Sequence, residues 1–354
     1  MNNFPITPED ITTAWLSEAL GNQIDHFRIE PLGVGGGLLG LVTRLHLQGD
    51  ATPETLIAKF PTPTPENRAV AEAYDMYGRE YRFYTQVAPT VPLRSPRCHY
   101  AAYNPDSGDV ALLLEDLSHM RLGDQVKGCS AVEAHAVISG IASLHRNTWQ
   151  PDHLTEIKQH DMPYQREGMI GGFQAGWPVV INQFKQYFDD ELIQVGATLP
   201  DHVNNLLDRI HDGPLVIGHG DVRLDNIFFD DDGIALVDYQ AVCKAAPEHD
   251  LAYFVTQSLA DDVRSAEDWH SVYFNELTML GIDYDKEYSY QRYRLCAMYF
   301  LCYSVIIAGT LDPANERGRQ LAETLLGNSI RSLKELNALE LTQSRVLGDM
   351  AVER

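Results

Sequence analysis

The residues best suited to chemistry in this chain of 354 residues lie between His219 and Asp238. Asp221 and Asn226 have the spacing of an H-x-D-x-x-x-x-N segment, in which the aspartate can accept a proton from a hydroxyl group and the asparagine can bind magnesium. Asp238 follows twelve residues after Asn226 and adds a carboxylate, another oxygen ligand for magnesium. This spacing predicts a phosphoryl-transfer site with Asp221 as the base and with Asn226 and Asp238 as metal ligands.

Two strand-like segments are expected to position these side chains. Residues 227–229 and 234–237 are apolar, and the run DDDG at 230–233 between them is typical of a tight turn. A hairpin there would bring Asn226 beside Asp238, where both could hold magnesium against the phosphates of a nucleotide. The plainer alternative is a polar turn in a chain rich in aspartate, so support has to come from other segments.

A glycine-rich segment upstream supplies the first support. Residues 35–40 match G-x-G-x-x-G through Gly35, Gly37 and Gly40, a spacing that dinucleotide-binding folds share. A dinucleotide fold requires a helix next, whereas residues 41–47 are strand formers that run into a turn. The segment therefore predicts a hairpin that closes over phosphates, with Gly35 and Gly37 against the nucleotide.

A lysine and a glutamate supply the second support. Lys59 lies in the apolar strand 56–60, where a solvent-facing lysine on an edge strand is the plainer interpretation. Glu80 lies on the apolar face of the next helix, where a carboxylate is costly unless it is paired. The residues that share this face are Met76, Phe83, Tyr84 and Val87. We therefore expect Lys59 to pair with Glu80 and to bind phosphate.

The chain changes its pattern near residues 115–120, which predicts two lobes, 1–115 and 116–354. Residues 111–117 form an apolar strand with a polar exit, so backbone groups from Glu115 to Leu117 could receive an adenine edge. An ordinary core strand is the alternative. The fold class predicted is α+β, with a small β-rich N-terminal lobe and a larger, mainly helical C-terminal lobe.

The elements expected in each lobe follow from the hydrophobic periods. The strands predicted in the first lobe are 27–32, 41–47, 56–60, 99–103 and 110–115, and its helices are 7–20 and 66–88. The helices predicted in the second lobe are 131–148, 177–196 and 201–211, with several more after Glu248. In this lobe we expect Asp250 to brace the catalytic loop and Arg223 either to contact phosphate or substrate or to support the loop.

Composition excludes several classes of function. The formal net charge is −23 at pH 7 and the pI is near 4.8, so the protein should repel nucleic acids and anionic membranes. The five cysteines form no CxxC pair and the N-terminus has no secretory pattern, which favours a cytoplasmic protein. Residues 295–309 are apolar but short for a bilayer, so we expect a buried helix and no membrane insertion. No particular protein partner is indicated.

Taken together, these segments resemble the aminoglycoside phosphotransferase and choline kinase superfamily. The runs HGDVRLDNIFF, LVDYQ and EHDLAYF look most like its ecdysteroid-kinase-like (CHK kinase-like) group, and LLLEDL and EYRFY fit as well. The resemblance implies a two-lobed protein-kinase-like fold, with ATP bound between the lobes and an acceptor pocket built from C-terminal helices. It also implies Asp221 as the base, Asn226 and Asp238 as magnesium ligands, and Lys59, held by Glu80, on phosphate.

The resemblance favours a small-molecule substrate. Tyr239 and Gln240 replace the Phe-Gly that follows the metal aspartate in protein kinases, and no APE motif is visible, which disfavours protein substrates. We therefore expect an ATP- and magnesium-dependent kinase of a small alcohol, whether an amino sugar, an amino alcohol, a steroid-like compound or another. The alternative is a catalytically silent nucleotide-binding pseudokinase or regulatory module; a kinase of macromolecules is weaker.

Overall fold

The structure, a computed structural model, describes residues 3–32, 39–50, 53–311 and 314–343. The chain forms two compact units. Unit 1 contains Met1–Arg121 together with Ala235–Val242, and unit 2 contains Leu122–Ile234 and Cys243–Arg354. The chain thus returns to unit 1 for one short segment, which carries Asp238. The lobe boundary predicted at residue 115 stays a prediction.

Unit 1 is built on a five-stranded antiparallel sheet with the strand order β1-β2-β3-β5-β4. Its strands are β1 (Ile24–Pro31), β2 (Gly40–Gly49), β3 (Thr55–Pro61), β4 (Cys98–Asn104) and β5 (Asp109–Glu115). All five predicted strands are present. Alternate residues along β2 are buried, as expected for a strand with one face on a core. That core joins Leu45, Leu56 and Phe60 to Leu16 of the first helix.

The helices of unit 1 are α1 (Thr13–Leu20), α2 (Pro65–Ala73) and α3 (Met76–Arg82). The first helix was predicted from residue 7, but Thr7 caps only a short 3-10 turn and Thr12 caps α1. The predicted helix 66–88 is interrupted at Asp75, whose φ of 53° is left-handed. The Asp75 carboxylate bonds Arg82 at 2.6 Å and Tyr103 at 3.1 Å, contacts that help hold this unfavourable conformation.

Unit 2 is mainly helical. Its helices are α4 (Ala131–Asn147), α5 (Pro163–Gln183), α6 (Asp190–His211), α7 (Pro247–Ser258), α8 (Asp261–Arg264), α9 (Trp269–Met279), α10 (Lys286–Thr310), α11 (Glu316–Glu335) and α12 (Glu340–Gln343). The remaining strands of the chain are β6 (Arg121–Leu122), β7 (Val216–Gly218), β8 (Ile227–Asp230), β9 (Gly233–Leu236) and β10 (Cys243–Ala245). β7 pairs with β10 in antiparallel register, and β8 and β9 are the two strands predicted on either side of the DDDG turn.

The predicted boundary between the helices 177–196 and 201–211 was wrong. The break falls between α5 and α6 instead, where Asp189 caps α6 by accepting a hydrogen bond from the Leu192 backbone at 3.0 Å. Pro178 and Pro200 lie inside α5 and α6. The capping aspartate therefore marks the start of a helix more reliably here than proline marks an end.

Helix α10 is the central helix of unit 2 and packs against α5, α7 and α11. Among the described residues it is the one helix long and apolar enough to cross a membrane, judged by length and composition alone. However, 72% of its most apolar window is buried inside the structure. Its apolar surface is thus explained by packing against its neighbours.

One buried arginine of α10 ties the end of α6 to the chain that enters β7. Arg292 is 1% exposed, and its guanidinium donates to the carbonyl of Ile210 at 2.7 Å and to that of Pro214 at 3.1 Å. The carboxylate of Glu248, which is also buried, lies 3.6 Å away. A planar guanidinium can donate to two carbonyls and pair with a carboxylate at once. Arg292 therefore holds in place the segment that leads into β7 and the predicted catalytic loop.

Replacing Arg292 by Met should lower the free energy of unfolding by about 3–5 kcal/mol, because the buried Glu248 carboxylate loses its counter-charge. Arg146→Met, on the exposed side of α4, is the matched control and should change this free energy by less than about 0.5 kcal/mol. Urea unfolding followed by tryptophan fluorescence measures both. Unit 2 holds three of the four tryptophans: Trp149, Trp177 and Trp269. Equal effects of the two substitutions would contradict the prediction.

Candidate active site

The catalytic loop predicted from the sequence begins where β7 ends, in unit 2. The backbone N–H groups of His219 and Gly220 donate to the two carboxylate oxygens of Asp250, at 2.6 and 2.9 Å. Gly220 has a φ of 81°, a left-handed conformation that glycine adopts without strain. These contacts confirm the bracing role predicted for Asp250.

Asp250 is fully buried at the start of α7 and must remain charged to accept both hydrogen bonds. Burial by itself raises the pKa of this carboxyl, but the hydrogen bond from His145 and the His249 ring, 3.5 Å away, outweigh burial and hold the pKa well below its usual value. His145 lies 3.2 Å from Asp250 through Nε2 and 2.7 Å from the Tyr273 hydroxyl through Nδ1. His145 therefore supports the loop indirectly, through its contact with Asp250.

Gln125 is a second support that the sequence analysis missed. Its side-chain oxygen accepts a hydrogen bond from the Leu224 backbone at 2.8 Å, and its own backbone N–H donates to Asp225 at 3.0 Å. Its amide nitrogen donates to the Gln257 carbonyl at 2.7 Å. A single glutamine between two elements has no sequence pattern that would have revealed this role.

Asp221 is held at both carboxylate oxygens. Oδ1 accepts a hydrogen bond of 2.6 Å from the Tyr253 hydroxyl, and Oδ2 accepts one of 2.9 Å from Nδ2 of Asn226. The side chain is 21% exposed, so part of the carboxylate faces solvent. The structure thus presents Asp221 as a fixed, accessible carboxylate, as a base requires.

Asn226 is oriented by the same contacts. Its Nδ2 also donates to the Asp221 carbonyl at 3.0 Å. Within the described residues, the amide oxygen of Asn226 accepts no hydrogen bond. With the nitrogen committed to Asp221, an oxygen donor suited to a hard cation remains available.

Arg223 and an aromatic group surround Asp221. The Nε atom of Arg223 lies 3.5 Å from Oδ2, and this neighbouring carboxylate is the main cause of the raised pKa of Arg223. The ring of Tyr253 packs against Phe300 at 4.9 Å and against Tyr303 at 5.7 Å between centroids. The described neighbours of Asp221 in unit 2 therefore include a guanidinium and the hydroxyl of an aromatic residue.

The other half of the predicted site lies in unit 1, around Lys59 of β3. Its ammonium lies 2.6 Å from Oε1 of Glu80 on α3 and 2.9 Å from Oδ1 of Asp238. Lys59 is 8% exposed. The predicted Lys59–Glu80 ion pair is confirmed, whereas the contact between Lys59 and Asp238 was not anticipated.

Charge and burial compete in this cluster. Burial alone would lower the pKa of Lys59, but the carboxylates of Asp238 and Glu80 more than offset it and raise that pKa above its ordinary value. Burial raises the pKa of Glu80, and the Lys59 ammonium opposes that change. Lys59 is accordingly a permanent cation at neutral pH.

The segment that carries Asp238 is anchored to α3 within unit 1. Asp238 has a left-handed φ of 67°, and the ring of Tyr239 stacks on Phe83 with centroids 3.4 Å apart. Arg79 donates to the carbonyls of Ala241 and Val242, each at 3.5 Å. These contacts hold Asp238, which is 179 positions from Lys59 in the sequence, at hydrogen-bond distance from the Lys59 ammonium.

The remaining predicted residues have less defined surroundings. Glu115 ends β5 and accepts a hydrogen bond from the Arg97 backbone at 3.1 Å. Leu117 is buried, and its backbone N–H makes no hydrogen bond within the described residues. Gly35 and Gly37 lie outside the described residues, so their role stays a prediction. Asp221 and Asn226 belong to unit 2, and Asp238 belongs to unit 1.

The sequence matches a known protein family. Residues 35–281 match the model of the ecdysteroid kinase-like family. No curated protein sequence matches the chain significantly.

Solved structures share the fold. The choline kinase of Cryptosporidium parvum has a TM-score of 0.56 at 11% identity, covering 96% of each chain. A putative aminoglycoside phosphotransferase of Ralstonia eutropha has a TM-score of 0.54 at 18% identity, covering 91% of this chain and 97% of that one. The GDP complex of aminoglycoside 2'-phosphotransferase-IIIa has a TM-score of 0.52 at 11% identity, covering 86% and 93%.

These likenesses confirm the predicted fold class, an α+β kinase-like fold with a five-stranded antiparallel sheet and a mainly helical remainder. They also confirm the resemblance to the aminoglycoside phosphotransferases and choline kinases. Since the family match covers more than half of its residues, the chain belongs to the ecdysteroid kinase-like family.

Proposed function

We propose that this protein transfers the γ-phosphoryl group of ATP to a hydroxyl group of a small molecule. The observation that carries the proposal is the buried Lys59 ammonium, held between Glu80 and Asp238 at 2.6 and 2.9 Å. A lysine fixed by a helix glutamate beside a metal-binding aspartate is the arrangement that kinases use to hold nucleotide phosphates. The names of the structural neighbours, a choline kinase and aminoglycoside phosphotransferases, support the same reaction class.

The nucleotide would be held by unit 1. Lys59 would bind phosphate oxygens, and Gly35 and Gly37 would cover them. The free N–H of Leu117, with backbone groups of Glu115, would receive the adenine edge. Because one solved neighbour is a GDP complex, guanine nucleotides belong in any test of nucleotide preference.

Magnesium, as the sequence predicts, would be held by Asn226 and Asp238. Asn226 offers an uncommitted amide oxygen and Asp238 a carboxylate whose side chain is 36% exposed. Among the described residues no group of three or more His, Cys, Asp or Glu is placed to hold a metal ion. We propose that phosphate oxygens of the nucleotide supply further ligands. Magnesium, when bound, would neutralise charge on the transferring phosphoryl group.

Asp221 would act on the acceptor. Its carboxylate would orient the acceptor hydroxyl and take its proton as the oxygen attacks the γ-phosphorus and ADP leaves. The Arg223 guanidinium beside it could stabilise negative charge on the transferring group.

The surroundings of Asp221 favour an uncharged acceptor. A substrate ammonium would be repelled by the Arg223 guanidinium, which lies 3.5 Å from Asp221. The ring of Tyr303, which is only part-buried and packs against Tyr253, offers apolar contact surface. We therefore propose an alcohol attached to an apolar ring or chain, rather than an amino sugar or amino alcohol.

A cytoplasmic location and the absence of a nucleic-acid partner are also proposals. The described cysteines, Cys98, Cys129, Cys243, Cys296 and Cys302, are free thiols, which suits a reducing compartment. The net charge of −23 opposes binding to nucleic acid.

Release of ADP from ATP tests the function directly. Purified protein with magnesium and ATP, or GTP, should release the nucleoside diphosphate faster when hydroxylated apolar compounds are added than when amino sugars or choline are added. EDTA should abolish release, and excess magnesium should restore it. Nucleotide binding with no release for any acceptor would favour a silent pseudokinase, and no nucleotide binding would reject the kinase.

Asp221→Asn should lower kcat by roughly 10²–10⁴-fold, because the amide cannot accept the hydroxyl proton. The Kd for ATP, measured by calorimetry, should stay within about threefold of the wild-type value, since Asp221 is assigned to the acceptor. Asp231→Asn, in the exposed turn between β8 and β9, is the matched control and should retain full activity. Full turnover by the Asp221→Asn protein would exclude Asp221 as the base.

Lys59→Met should raise the Kd for ATP about 10–100-fold through the loss of a charge-assisted hydrogen bond. It should also destabilise unit 1, because Glu80 loses its partner in a buried site. Adding Glu80→Gln should recover part of the thermal stability without recovering ATP affinity. Calorimetry and thermal unfolding separate these effects, with the exposed Lys185→Met as control. Unchanged ATP affinity in the double variant would remove Lys59 from the nucleotide site.

A further inference from the structure

Helix α7 contacts the catalytic loop through two residues three positions apart. Residues at this spacing lie on the same face of a helix. Asp250 accepts the backbone N–H groups of His219 and Gly220, as described above. One turn later, the Tyr253 hydroxyl donates to Oδ1 of Asp221 at 2.6 Å. The same helix face therefore holds both the backbone of the loop and the side chain of the proposed base.

The Tyr253 side chain has little freedom to leave this position. It is 3% exposed, and its ring is packed edge-on against Phe300 and Tyr303 of α10. Burial, together with the Asp221 carboxylate, raises the pKa of Tyr253 well above its usual value. The phenol consequently keeps its proton at neutral pH and acts as a hydrogen-bond donor.

The hydrogen bond from Tyr253 leaves room for an acceptor. An ionised carboxylate has about four lone-pair positions on its two oxygens. Tyr253 occupies one on Oδ1 and Asn226 occupies one on Oδ2. Since 21% of the Asp221 side chain is exposed, an acceptor hydroxyl can reach a remaining lone pair without displacing the tyrosine.

We propose that Tyr253 is a positioning residue for phosphoryl transfer, which fixes the Asp221 carboxylate in the rotamer that faces the acceptor. The proposal rests on the proposed kinase function. Tyr253 would keep its own proton throughout, while the acceptor proton passes to Asp221, the acceptor oxygen bonds to the γ-phosphorus and the bond to ADP breaks. Asn226 holds only one of the two oxygens, so without Tyr253 the carboxylate would be less restrained against rotation about its bond to Cβ.

Tyr253→Phe tests this role, because it removes the hydroxyl and keeps the packed ring. The matched control is Tyr299→Phe on α10, which is also buried, packs against the same Phe300 at 5.4 Å and bonds His160 instead of Asp221. The assay is ADP release from magnesium–ATP with water as the acceptor, so that no identified substrate is required. Thermal unfolding of each variant provides the measure of structural damage.

We expect Tyr253→Phe to lower kcat roughly 10–100-fold with the KM for ATP unchanged, because a misplaced base slows the chemical step without weakening nucleotide binding. Tyr299→Phe should change kcat by less than about threefold while lowering the unfolding temperature to a similar extent. In an Asp221→Asn background, Tyr253→Phe should cause no further loss in single turnovers at high enzyme concentration, since it acts through Asp221.

Equal kcat for Tyr253→Phe and Tyr299→Phe would overturn the positioning role, and so would a loss that persists in the Asp221→Asn background. Either result in an active wild-type protein would leave the kinase function intact. A wild-type protein that neither binds ATP nor releases ADP would reject the proposed function, and the role of Tyr253 with it. If Tyr253→Phe does not fold, Tyr253→His, which keeps a donor, should retain more activity than Tyr253→Leu, and the reverse order would reject the proposal.

Discussion

A lysine ammonium in the interior of unit 1 is the constraint around which its site is arranged. A charged group taken out of water costs several kcal/mol unless opposite charges and hydrogen bonds replace the lost hydration. Lys59 is buried, and Glu80 and Asp238 supply that replacement at hydrogen-bond distance. Both carboxylates contact the same buried ammonium, so electrostatic attraction binds β3, α3 and the segment 235–242 to one another.

That requirement explains features of unit 1 that have no chemical role of their own. The segment 235–242 must return to the sheet in one fixed orientation to present Asp238. The stack of Tyr239 on Phe83 and the hydrogen bonds from Arg79 to two carbonyls provide this orientation. The left-handed backbone of Asp238 is an unfavourable conformation for a residue with a side chain, and it is retained where the surrounding contacts over-determine it.

In unit 2, side chains from other elements hold an irregular loop in place. Backbone N–H groups in a loop need acceptors when they are buried, and side chains from other elements supply them here. The Asp250 carboxylate accepts hydrogen bonds from the backbone N–H groups of His219 and Gly220, and the Gln125 side chain accepts one from that of Leu224. Because these acceptors are buried, the loop backbone is held by hydrogen bonds from outside the loop, which would pre-position the Asp221 carboxylate for the proposed reaction.

The sequence by itself determined the features that depend on local pattern. The strands of unit 1 were predictable because alternation and turn residues are local signals, and Lys59 and Glu80 could be paired because each polar residue interrupts an apolar face. The spacing of Asp221 and Asn226 predicted the loop. The helix division between α5 and α6 was missed, although Asp189, which caps α6, is a local signal for the start of a helix.

Only the tertiary structure decided which distant residues meet. Three contacts join residues that are far apart in the sequence. Tyr253 bonds Asp221 across 32 positions, and Gln125 bonds Leu224 across 99. Asp238 pairs with Lys59 across 179 positions. No local period encodes such contacts, since they follow from how helices and strands pack once formed. The residue types and their spacing therefore predicted the chemistry proposed for the site, while the contacts that hold those residues in place arise from packing.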